Sequence, residues 1–104
     1  MDRFTDGTWQ SGVLSSAEPV AVVFWAEWCV PSRDAAQAIE GLAGRRRSGP
    51  RVGLVNVDEN PRTTERYRIQ GLPTLIVFRG AEPEERRVGL MSREDLARLL
   101  DKHA

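Results

Sequence analysis

Three short apolar runs constrain this chain more than any other feature. Val20-Ala21-Val22-Val23-Phe24-Trp25, Val52-Gly53-Leu54-Val55-Asn56-Val57 and Thr74-Leu75-Ile76-Val77-Phe78 are rich in β-branched and aromatic side chains. Strict alternation of apolar and polar residues would mark a half-exposed strand. A continuous run marks a strand buried on both faces, as in a parallel sheet covered by helices on either side. With 104 residues there is room for one such sheet, so a single domain over residues 1–104 is expected. Leu, Ile, Val and Phe make up about a quarter of the chain, enough for a small core.

Helical signals fill the intervals. Between Pro31 and Arg47, Ala35, Ala38, Ile39, Leu42 and Ala43 recur at spacings of three and four, and Gly49-Pro50 forces a stop. Asp58-Glu59-Asn60-Pro61 reads as a cap entering a short helix that runs to about Tyr67. Ser92 is a natural N-cap for a last helix reaching His103, with Glu94 and Asp95 in its first turn and Leu96, Leu99 and Leu100 as its buried stripe. Thr8 to Ser16 is a weaker helix, and Met1 to Phe4 a short leading strand. Arg86-Arg87-Val88-Gly89 is a weak edge strand, too close to Phe78 for a crossover, so the two form an antiparallel hairpin. The order (β)αβαβαββα gives an α/β fold with a central mixed sheet.

Charge narrows the function classes. Lys and Arg number 15, Asp and Glu 15, so nothing favours an electrostatic grip on nucleic acid or an anionic membrane. The longest apolar run, Val20 to Ala26, is far short of the about 20 residues a spanning helix needs. Met1-Asp2-Arg3-Phe4 has no apolar segment of signal-peptide type. One cysteine, Cys29, and one histidine, His103, leave no internal disulfide framework and no ordinary zinc site. A cytoplasmic location is therefore expected, with no metal and no cofactor.

The stretch Trp25-Ala26-Glu27-Trp28-Cys29-Val30-Pro31-Ser32 carries the chemistry. A buried strand ends, the chain loops over, and a helix starts at or just after Cys29. A helix N-terminus favours a thiolate, and the C-terminal edge of a buried sheet is where open α/β folds place their sites. The other reading of Cys29 is a buried, inert small hydrophobe. Pro73 stands directly before a buried strand. On the peptide's own energetics a trans bond is the commoner state, and a cis bond would be a positional feature. Arg45-Arg46-Arg47 reads as a solvated helix end favourable to the dipole, Glu27 as a solvated loop carboxylate, and His103 as solvated or compensating the last helix's dipole.

The segment Phe24 to Ser32 resembles the active-site segment of the thioredoxin family. The resemblance continues through Asn56-Val57-Asp58-Glu59-Asn60-Pro61, Tyr67-Arg68-Ile69-Gln70-Gly71-Leu72-Pro73-Thr74-Leu75 and Val88-Gly89, so it spans nearly the whole chain. It implies a thioredoxin fold: a five-stranded mixed sheet flanked by four helices, two on each face. It further implies that Cys29 is the attacking cysteine and Pro73 the cis-proline beside it. Trp28 would flank the site and Trp25 pack beneath it. Leu72 would offer backbone hydrogen bonds to a substrate, with Val30 and Pro31 completing the binding segment.

The departures from the family pattern matter as much. Ser32 stands at the position of the resolving cysteine, Val23 at that of a buried aspartate, Leu54 at that of a lysine near it, Gln37 at that of a helix-kinking proline, and Val30 replaces a glycine. A hydroxyl cannot take part in disulfide exchange, so the two-cysteine cycle is broken. The buried aspartate is thought to accept the resolving thiol's proton, and an unpartnered carboxylate there would be costly. Val23 and Leu54 are the residues expected once that task is gone. The resemblance thus implies a thiol–disulfide oxidoreductase working through Cys29 alone. Its partners would be protein disulfides or glutathione adducts, with glutathione or thioredoxin reductase as possible redox partners. Two other readings use the same residues. One is a partner-docking module around Trp28, Leu72 and Pro73. The other is a two-cysteine protein carrying a Cys-to-Ser trap at position 32.

Overall fold

The computed structural model describes residues 2–104. Five strands, β1 (Asp2–Arg3), β2 (Val20–Trp25), β3 (Arg51–Asn56), β4 (Thr74–Arg79) and β5 (Glu82–Val88), form one sheet in the order β1-β3-β2-β4-β5. β1, β3 and β2 run parallel, β4 is antiparallel to β2, and β5 is antiparallel to β4. A π-helix (Gln10–Leu14) and three α-helices, α1 (Val30–Arg45), α2 (Pro61–Arg66) and α3 (Arg93–Lys102), make up the four expected helices. Of the expected leading strand, Met1 lies outside the described residues.

The continuous apolar runs are explained by cover on both faces. Along β2, Ala21 and Val23 point to one side, where Ala35 and Ile39 of α1 and Leu96, Leu99 and Leu100 of α3 meet them. Val20, Val22 and Phe24 point to the other side, into an aromatic cluster of Phe4, Trp9 and Phe78. Trp9 donates its indole N–H to the Tyr67 hydroxyl at 3.0 Å. Gly53 is required where it stands: a Cβ there would fall 2.1 Å from the Phe4 ring.

Several sequence expectations need correction. β5 begins at Glu82, four residues earlier than the apolar signal suggested, because an edge strand with an exposed outer side tolerates Glu-Pro-Glu-Glu. α1 ends at Arg45, and Arg46 turns away to pair with Asp101 at 2.5 Å, so the arginine run is only partly a solvated helix end. α2 starts at Pro61 behind Asn60, whose own side chain caps nothing. Its cap comes from Asp6: Oδ1 accepts from the Thr63 backbone N–H (2.8 Å) and hydroxyl (2.7 Å), and Oδ2 from the Arg62 N–H (3.2 Å). Ser92 caps α3 as expected, in a reciprocal box with Asp95.

The largest correction concerns His103. It is neither solvated nor a simple dipole partner but buried, with Nε2 2.8 Å from Glu85 Oε1 and Nδ1 3.8 Å from Glu84. Lys102 and Arg87 also reach Glu85, at 3.1 and 3.0 Å. The hydrogen bond from His103 is the main reason the Glu85 carboxyl lies at about 2. Burial opposes that shift, and Lys102 and Arg87 reinforce it. The sequence showed a lone histidine at a helix end but not the strand lying against it.

Candidate active site

β2 delivers the chain to the C-terminal edge of the sheet at Trp25, and α1 carries it back from Val30. The connection is held by backbone bonds: Cys29 N–H donates to the Ala26 carbonyl at 3.2 Å, and the Cys29 carbonyl accepts from Ser32 and Arg33 at 3.1 and 3.0 Å. Cys29 is therefore the N-cap residue of α1, with extended backbone angles and Pro31 in the first turn. The residue is partly exposed, and its sulfur lies 4.0 Å from the Leu72 carbonyl oxygen. The Leu72–Pro73 peptide bond is cis. Cys29, Leu72 and Pro73, separated by more than forty residues in sequence, are thus neighbours.

Trp28 stands out from the surface, 70% exposed, and is oriented by one bond from its indole N–H to Asp58 Oδ2 at 2.9 Å. Asp58 sits on a turn held by Asn56, whose Oδ1 accepts from the backbone of Asp58 (2.9 Å) and Glu59 (3.3 Å). Val30 and Pro31 are exposed beside Cys29, Glu27 is an exposed loop residue as expected, and Trp25 packs partly buried against the α1 side of the sheet. Between Trp28, Cys29 and Leu72 opens a groove of about 390 Å³, its far wall made by Val57, Thr64, Ile69 and Gln70.

Ser32 behaves differently from Cys29. It is fully buried on the inner side of α1's first turn. Its hydroxyl accepts from the Ala26 N–H at 3.0 Å, and its hydrogen is donated to the Cys29 carbonyl at 2.8 Å, with the Ala26 carbonyl a second acceptor at 3.1 Å. The hydroxyl therefore ties together both ends of the loop that presents Cys29. Beneath lie Val23 and Leu54, paired in register and both buried.

Sequence reasoning named Cys29, Ser32, Pro73, Trp28, Val30, Pro31 and Leu72; of these, Trp28, Cys29 and Leu72 line one groove, Val30 and Pro31 are exposed beside Cys29, Pro73 follows Leu72 in the chain, and Ser32 is buried. It missed the Asp58–Trp28 bond, because Asp58 also fits a helix cap, and it missed the groove's far wall. Part of the signal for that wall was present: Ile69 and Leu72 are apolar residues outside any strand, whereas Val57 reads as the end of the second strand run, which stops at Asn56.

The thioredoxin family model matches residues 1–102. The chain is 40% identical over 97 residues to a thioredoxin of Acidithiobacillus ferridurans, covering 93% of this chain and 90% of that protein. It is 38% identical over 101 residues to thioredoxin 1 of a Nostoc species, covering 97% and 94% of the two chains. Against a thioredoxin of Staphylococcus epidermidis it is 40% identical over 101 residues, covering 97% and 95%.

Proposed function

Because the chain belongs to the thioredoxin family of thiol–disulfide oxidoreductases, we propose that it performs that chemistry with one thiol, Cys29. The Cys29 thiolate attacks one sulfur of a substrate disulfide. A Cys29–substrate disulfide forms, the substrate's S–S bond breaks, and its other sulfur leaves as a thiolate that takes up a proton from water. A second thiolate, from glutathione or a substrate cysteine, then attacks the substrate-side sulfur. A new external disulfide forms and Cys29 is released as thiolate. Electrons pass between the external thiols and disulfides, and Cys29 ends as it began.

In this reading Leu72 and Pro73 align the substrate beside the sulfur, Trp28 and Val30 wall the approach, and Pro31 starts the helix behind Cys29. The observation that carries the reading is Ser32. A buried hydroxyl bonded to Ala26 and Cys29 supports the loop but cannot resolve a mixed disulfide.

The test is exposure to a disulfide peptide, followed by mass spectrometry and then by addition of glutathione. A peptide adduct on Cys29, cleared by glutathione and absent in Cys29→Ser, is the expected result. Turnover coupled only to a thioredoxin reductase should be slow. Fast reductase-coupled turnover would overturn the one-thiol mechanism, and failure to form any adduct would leave a docking module.

A further inference from the structure

The groove beside Cys29 has no charged side chain in its walls; Asp58 is bonded to Trp28 on one side, and the turn that leads into Ile69 and Gln70 on the other is rich in arginine. α2 ends in a Schellman turn: the Arg68 N–H donates to the Glu65 carbonyl at 3.0 Å and the Ile69 N–H to the Thr64 carbonyl at 3.1 Å. The turn puts Arg68 at φ 52°, the one non-glycine residue with positive φ among the described residues. Glycine is the residue that this position usually takes, since it has no Cβ to crowd the carbonyl. An arginine is kept there at a cost to stability. The next two residues, Ile69 and Gln70, form the groove wall facing Cys29.

Two more guanidinium groups gather at the same turn. Arg66 lies 5.3 Å over the Tyr67 ring, and Arg86 of β5 donates to the Tyr67 carbonyl. Of the other arginines, Arg3, Arg46, Arg51, Arg79, Arg87 and Arg98 are paired with carboxylates, whereas Arg33, Arg45, Arg47, Arg62 and Arg93 are spread over the rest of the chain without an ion pair among the described residues. Among the described residues no carboxylate forms an ion pair with Arg66, Arg68 or Arg86, although Glu65 is close in sequence. In a chain with equal numbers of acidic and basic residues, this turn gathers three arginines on one side of the groove, opposite the Trp28 side that carries Asp58.

We propose that Arg68, backed by Arg66 and Arg86, makes the site selective for extended peptide disulfides with an acidic residue next to the reacting cysteine. The inference rests on exchange at Cys29. Complementary charge at a rim raises the encounter rate and fixes register, and salt weakens both effects.

The experiment uses two disulfide peptides identical except for Asp/Glu or Asn/Gln beside the cysteine, and reads the rate of adduct formation on Cys29. At low salt the acidic peptide should react about 3–10-fold faster, and the ratio should shrink as salt rises. Arg68→Gly should bring the ratio to about one while raising the melting temperature by a few degrees, and Arg68→Lys should keep most of the preference. A variant that merely disturbed the turn would lower both rates and the melting temperature together. Equal rates for the two peptides in the natural chain, or an unchanged ratio in Arg68→Gly, overturn the inference alone. No adduct with either peptide overturns the one-thiol reading, and this inference with it.

Discussion

The two faces of the sheet are built from different side chains. Under α1 and α3 the core is aliphatic and small: Ala21, Val23, Ala35, Ala36, Leu54 and Leu75. Under the π-helix and α2 it is aromatic: Phe4, Trp9, Phe24 and Phe78, with the Tyr67 ring edge-on to Phe78, centroids 5.1 Å apart. The site straddles the two. Cys29 and Ser32 belong to the helix packed on the aliphatic face, whereas Val57, Ile69 and Leu72 of the groove are packed against the aromatic cluster. The aliphatic side therefore presents the sulfur, and the aromatic side shapes what lies against it.

Neighbouring residues of β2 test that contrast most directly, since Val23 and Phe24 point to opposite faces. Val23→Asp would put a carboxylate between Leu54 and Leu75, its partners in the adjacent strands. With no cation to meet it, the loss should be about 3–5 kcal/mol at pH 7. Burial raises the carboxyl's folded pKa above its unfolded value, so the loss should fade as pH falls and the group takes up a proton. Adding Leu54→Lys should recover part of it. Phe24→Ala should cost a similar about 3–5 kcal/mol, through a cavity, but equally at pH 4 and pH 7. Chemical denaturation at both pH values separates the two. A pH-independent loss for Val23→Asp would mean that the aliphatic floor is open to water.

Acid should loosen the ties on both sides, and most of all the one on the aliphatic side. α3 is tied to β5 through His103 and Glu85, whereas the aromatic side has the neutral Trp9–Tyr67 bond besides the Asp6 cap of α2. Glu85 has a folded value of about 2 against 4.5 for an ordinary glutamate. A depressed carboxylate contributes stability that is complete above the unfolded value and lost as pH falls through the folded one. The window is thus pH 4.5 down to about 2. The loss should be on the order of 2 kcal/mol, discounted for the exposed Lys102. Glu85→Gln should flatten the stability curve across that window. An unaltered slope in urea titrations would count against the tie.

The smallest difference lies in the helix caps. Ser92→Ala removes a cap made within α3 itself and should cost about 1 kcal/mol, with faster hydrogen exchange confined to that helix. Asp6→Ala removes a cap supplied across the fold. Its faster exchange should appear in α2 and onward through Ile69, at the groove. Identical exchange patterns in the two variants would erase the distinction between a local and a tertiary cap.

These caps also show what was legible in advance. Ser92-Arg93-Glu94-Asp95 states its cap in four consecutive residues, and Cys29-Val30-Pro31 states a helix start, so both could be read. Asp6 to Thr63, Trp28 to Asp58 and His103 to Glu85 are pairs of ordinary polar residues far apart in the chain, with no local pattern to announce them. The central strands were legible because burial on both faces leaves a continuous apolar run. β5 was half hidden because an edge strand owes its position to main-chain pairing with β4, and its side chains are free to be charged. Ser32 was legible as a missing cysteine only through family likeness, and its service to the loop backbone was not legible at all.

β5 has a consequence for how copies of this protein meet in a crowded solution. An outermost strand of seven residues is a template on which a neighbour's strand could add, the first step toward stacked sheets and fibres. Here that template reads Glu-Pro-Glu-Glu-Arg-Arg-Val, with a proline that lacks a donor and a register shift opposite Val77 and Phe78. The opposite border, β1, offers only two residues. Both borders are poor ground for growth strand by strand. The protein can therefore keep an exposed tryptophan and an apolar groove at one end of the sheet while its lateral margins discourage polymerisation.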